Sequence, residues 1–126
     1  MYFEFSDSEI ADCSWDNGRL QLRFSAACIW NTEAARADDA VWAPLLLTAE
    51  QVEPWEAFEP SACLGRMRQG WVLYASEKLH QLPVPCAFNG VVTMEFVFAH
   101  GLTVHMRCQH LEVQLLQGAV VGAYQC

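Results

Sequence analysis

The sequence predicts an all-β fold. The expected form is a single domain over residues 1–126, an antiparallel β-sandwich or small β-barrel of seven to nine strands, with one short helix allowed over 33–42. Three observations lead there. Two hairpin patterns have self-consistent registers, shorter apolar runs of strand length lie between them, and no linker, repeat or low-complexity tract divides the chain. At 126 residues, with 53% hydrophobic and 17% charged side chains, the chain can bury a core without metal or disulfide staples.

The first hairpin turns at Asn17-Gly18, a dipeptide suited to a two-residue turn whose central residues both take positive φ. Pairing across it sets Trp15 opposite Leu20, Cys13 opposite Leu22 and Ala11 opposite Phe24 on an apolar face. The other face then pairs Asp16 with Arg19, Ser14 with Gln21 and Asp12 with Arg23. A slip of one residue would spoil both faces together. The second strand continues as Leu20, Leu22, Phe24, Ala26, Cys28 and Trp30.

In the middle of the chain Asn31 and Thr32 can cap a helix over 33–42 that Pro44 closes; an acidic loop is the alternative. Residues 45–52 read as a strand, Gln69-Gly70 as a turn, and 71–76 as a further strand. Leu82-Pro83-Val84-Pro85 has no place in a central strand, because its prolines lack the N–H donor.

The second hairpin covers 91–109. Val92, Met94, Phe96 and Phe98 share a face with Leu102, Val104, Met106 and Cys108 only if Ala99-His100-Gly101 is a three-residue loop. That register places Glu95 beside His105 and Thr93 beside Arg107. The apolar set then changes phase to Leu111, Val113 and Leu115, which calls for a bulge or bend near 108–110. A turn at Gln117-Gly118 would return 120–124 along 111–115.

Several function classes lose support. The seven glycines are too scattered for a phosphate loop, and the chain has no GxSxG, HExxH or CxxC motif. A net charge of −8 argues against nucleic acid as a partner. No membrane span is expected, because no stretch reaches about eighteen uncharged apolar residues. The N-terminal residues carry no secretory pattern, so the six cysteines read as reduced thiols in a cytoplasmic protein.

Two clusters are candidate sites. His100, His105 and His110, with Cys108, Glu95 and Glu112 nearby, invite a metal reading, but strand parity keeps them from converging. No metal and no cofactor are therefore expected. Glu95, His105 and Arg107 remain as a polar cluster on one strand face, able in principle to bind an anion or move a proton. The second cluster follows from the uneven charge. Residues 1–59 carry −9 and residues 60–126 carry +1. The acidity is densest where Glu50, Glu53, Glu56 and Glu59 alternate with Trp55 and Phe58. Aromatic rings amid carboxylates suit a basic partner, with the field guiding encounter and the rings supplying contact.

The residues thus favour a non-catalytic protein-binding module with an acidic, aromatic face, of which an inhibitor of a basic toxin or nuclease is one example. The alternative, an enzyme included, is a barrel that binds an apolar small molecule among Trp15, Trp30, Trp71 and Phe96. Val91 and Val97, apolar on the face opposite the main set, suggest a homodimer.

Overall fold

The computed structural model describes residues 1–31 and 40–116. Within them the chain forms β1 (Tyr2–Asp16), β2 (Arg19–Trp30), β3 (Ala40–Glu50), β4 (Glu53–Pro54), a 3-10 turn (Pro60–Ala62), β5 (Gly65–Tyr74), β6 (Glu77–Leu79), β7 (Gln81–Pro83), β8 (Cys86–Phe98) and β9 (Thr103–Leu115). The all-β expectation holds, and the closed barrel is the form it takes. Six strands run β1-β2-β3-β9-β8-β5 around an antiparallel ring that β5 completes by pairing with β1, while β4, β6 and β7 lie outside it.

The first hairpin has the expected register from Asp16↔Arg19 down to Asp12↔Arg23. Its turn residues Asn17 and Gly18 take φ of 54° and 77°, as the dipeptide requires. One pairing differs. Ile10, not Ala11, faces Phe24, because β1 bulges between Ile10 and Asp12.

A larger break lets β1 bend around the barrel. Glu4 pairs with Cys28 and Glu9 with Ala26, so residues 5–8 lie opposite Ala27 alone, with Asp7 at φ 67°. Ser8, fully buried, replaces the missing ladder bonds. Its hydroxyl donates to the Glu4 carbonyl at 2.7 Å and accepts the Cys28 N–H at 2.8 Å. The hydroxyl thereby ties the two strands together where their ladder is interrupted.

At the β5–β1 seam the backbone ladder is confined to Glu9↔Arg66 and Ile10↔Gly65, and the Arg66 guanidinium also donates to the Asp7 carboxylate at 3.1 Å. Further along, β6 continues the sheet from residues 72–74 of β5 and β7 continues it from residues 2–4 of β1. Between these two regions Phe5 presses on Gly70, where an added Cβ would lie 2.8 Å from the Phe5 ring. Gln69-Gly70 is therefore not the expected turn. It lies inside β5, and its glycine serves close approach. Pro83 is confined to β7, at the end of the sheet order, as its missing donor demands.

Residues 40–42 correct the helix expectation. They are strand, paired with Trp30, Ile29 and Cys28, and residues 32–39 lie outside the described residues. Pro44 does not close a helix; it sits inside β3 at a bulge, opposite Ser25 and Ala26. The expected strand over 45–52 is the second half of β3, which ends at Glu50.

The second hairpin also has the expected register, with Glu95↔His105 and Thr93↔Arg107. Phe98 and Leu102 close the three-residue loop, the Phe98 N–H donating to the Leu102 carbonyl at 2.8 Å. The expected irregularity near 108–110 is present, but the extra residue stands on β8, where Gly90 and Val91 lie opposite Gln109. Residues 120–124 lie outside the described residues. Residues 111–113 of β9 pair with β3 on one side and β8 on the other.

Phenylalanine fills the interior. Phe3, Phe5, Phe24, Phe96 and Phe98 are buried. Phe3 meets Phe5 and Phe24 edge-on at 4.8 and 5.1 Å, and Phe5 meets Phe96 at 5.5 Å. Among the described residues no helix is long and apolar enough to cross a membrane.

Candidate functional site

The two clusters read from the sequence lie side by side on the outer face of the barrel. Trp71 of β5 pairs with Glu95 of β8, which pairs with His105 of β9. Beyond His105 the chain after β4 adds Trp55, whose N–H donates to the His105 carbonyl at 3.0 Å. Four side chains distant in sequence thus form one row across adjacent segments.

Glu95 organises the row. One carboxylate oxygen accepts the Trp71 indole N–H at 2.8 Å, and the other contacts Nε2 of His105. The imidazole lies under Trp55, with ring centroids 4.9 Å apart and planes within 11°. Trp71 meets the same imidazole at 6.5 Å and 64°, and the Lys78 ammonium stands 4.5 Å from the Trp71 ring centre. His105 is thus held through its edge and its face, while Trp55 keeps 62% of its surface exposed.

Arg107, next on the same face of β9, is turned away from Glu95 and His105. It donates to Glu53 at 2.8 and 3.3 Å, which partly neutralises one of the four carboxylates in the acidic segment. Glu50, Glu56 and Glu59 are exposed. Phe58 is half-buried and stacks on Trp15 at 5.0 Å, the two planes within 6°. An open groove of about 360 Å³ runs between residues 55–58 and residues 102–105, with Trp55, Glu56 and His105 on its walls.

The other histidines are dispersed. His100 stacks on Phe98 at 5.4 Å at the hairpin tip, and Nδ1 of His110 lies 2.7 Å from the Asn89 side-chain oxygen. No group of three His, Cys, Asp or Glu side chains among the described residues is placed to hold a metal ion. The four rings named for an apolar pocket occupy separate settings. Trp15 lies on Phe58, Trp30 donates to Glu4 at 2.8 Å, Trp71 belongs to the outer row, and Phe96 is in the core.

Trp71 and Lys78 escape a reading of the sequence as members of the Glu95–His105 cluster. Their strands join the sheet through the long-range β5–β8 pairing, which no short turn announces. Comparison with family models, with curated proteins and with solved structures found no match to this chain.

Proposed function

We propose that the chain is a non-catalytic binding module, cytoplasmic, that engages a basic protein through the face carrying Trp55 and Glu56. The observation that carries this reading is the state of Trp55: largely exposed, yet held flat on His105 beside the Glu56 carboxylate. A ring already fixed in place loses little conformational freedom on binding, so its contact energy is retained. The charge of −9 over residues 1–59 speeds the approach of a cation-rich surface and disfavours nucleic acid. An inhibitor of a cationic toxin or nuclease is one form such a module takes. Val91, 54% exposed on the outer face of β8, supports a homodimer formed there, away from the groove lining.

The test compares wild type, Trp55→Ala and Glu56→Lys as immobilised baits in lysate of the source cell. The reading expects a basic protein that binds wild type, dissociates as salt is raised, and is lost with either substitution. Bound proteins that are acidic, or that survive both substitutions and high salt, refute it.

A further inference from the structure

The segment that follows Trp55 folds back onto β1 through two side-chain contacts. Phe58 stacks on Trp15. Two residues earlier on β1, and so on the same strand face, Cys13 meets Cys63, and the two sulfur groups are hydrogen-bonded. Cys63 follows the 3-10 turn, its N–H donating to the Pro60 carbonyl at 3.0 Å, and is buried. Cys13 is half-buried, so a reagent from solvent reaches it first. Both are thiols in this structure.

We propose that Cys13 and Cys63 form a reversible dithiol–disulfide pair, oxidised by small-molecule disulfides, that fastens the Trp55-bearing segment to β1. The inference is independent of the binding reading above. The Cys13 thiolate attacks one sulfur of the small disulfide, whose S–S bond breaks and releases one small thiolate. The Cys63 sulfur then attacks Cys13, breaking the mixed disulfide and releasing the second. The protein dithiol loses two electrons, the small disulfide gains them, and the two cysteine protons end on the two released thiols.

The order of attack follows from the surroundings. The hydrogen bond from Cys63 holds the Cys13 thiol below its ordinary value, against opposing effects of burial and the Asp12 charge. The same bond, aided by burial, pushes Cys63 up, so Cys13 is the sulfur that attacks first. Cys86 and Cys108 are different: burial pushes both up to about 11, and their sulfurs accept hydrogen bonds from the backbone at Val113 and His110. A bond between residues 13 and 63 would close a long loop of the unfolded chain, so the oxidised form should melt at a higher temperature.

The reduced full-length chain is incubated with glutathione disulfide under native conditions, remaining thiols are alkylated, and the products are mapped by mass spectrometry. The expected result is a Cys13–Cys63 cross-linked peptide that forms ahead of any other pair and disappears on reduction. Cys63→Ala should stop at a glutathione adduct on Cys13, and Cys13→Ala should give neither product at Cys63. A wild-type adduct on Cys13 that never resolves overturns the proposal, as does a pair that forms faster with Cys126 or any other cysteine. Because the wild-type map decides the matter, a variant that fails to fold does not remove the test.

Discussion

Trp55 lies on His105 with the two rings 4.9 Å apart and within 11° of parallel, and the Trp55 N–H is tied to the His105 carbonyl. The same residue of β9 therefore fixes both the backbone and the ring of the most exposed aromatic side chain in the candidate face. His105 is itself fixed from the far side by Glu95. The exposed anchor thus rests on a short chain of contacts that ends at Trp71.

His105→Ala removes the ring under Trp55 while leaving the backbone bond. An aromatic stack of this kind is worth about 0.5–1.5 kcal/mol, so a stability loss of about 1 kcal/mol is expected. The local effect should be larger than the global one. Acrylamide quenching of Trp55, isolated by subtracting the matching Trp55→Phe protein, should rise. Unchanged quenching would show that the stack does not hold the ring.

Glu95 satisfies two donors at once, so its removal should cost more than the loss of one bond. Glu95→Ala leaves the half-buried Trp71 N–H and His105 Nε2 without their partner, a loss of about 1–3 kcal/mol. Glu95→Gln keeps an acceptor for the indole and should lose less. Urea midpoints of the two variants test this order, and equal losses would contradict it.

The parts of this arrangement legible in the sequence are those written by neighbours along the chain. Glu95 beside His105 follows from the parity of Val92 to Phe98 against Leu102 to Cys108, because a short loop leaves only one register that keeps both faces consistent. Asp12 against Arg23 follows in the same way from Asn17-Gly18. What stayed hidden depends on the closure of the ring. Trp71 reaches Glu95, and Phe5 reaches Gly70, only once β5 is inserted between β8 and β1. Local alternation carries no record of that choice. Gly70 could thus be mistaken for a turn residue, and Ala40 to Trp42 for the end of a helix.

Gly70→Ala tests the seam directly. The backbone at Gly70 is compatible with other residues, but the new methyl would sit 2.8 and 2.9 Å from two atoms of Phe5 and 3.2 Å from the Glu95 carbonyl. Phe5 is fully buried and has little room to yield. Overpacking of this kind costs about 1–3 kcal/mol. Pairing the change with Phe5→Leu should recover part of the loss, and independent, additive losses would place the strain elsewhere.

The turn between β5 and β6 carries a relievable conflict. Ala75 and Ser76 hold φ of 51° and 67°, a conformation that side-chain-bearing residues enter at a cost. Ser76→Gly should raise stability by about 0.5–1 kcal/mol, since the glycine meets the required φ freely and loses some of that gain to its more flexible unfolded chain. A higher melting temperature with an unchanged far-UV spectrum is the expected readout; a lower one would show that the serine side chain supports the turn.

Cys86 and Cys108 give the fold a dependence on alkaline pH. Burial raises both thiols from 9.0 to about 11, although hydrogen bonds involving the Val113 and His110 backbone act in the opposite direction. The folded state therefore favours the neutral thiol more than the unfolded chain does. Their contribution is fully present below pH 9 and is lost as pH rises towards about 11. Cys108 is fully buried, and its share is up to about 2–3 kcal/mol; Cys86, partly exposed, contributes less. Urea unfolding at pH 8 and pH 11 should show a smaller pH-induced loss for Cys108→Ala than for wild type, whatever the variant's stability at pH 8. Groups that titrate equally in both proteins cancel in that comparison, so identical losses would mean that Cys108 remains protonated or that its burial relaxes before it ionises.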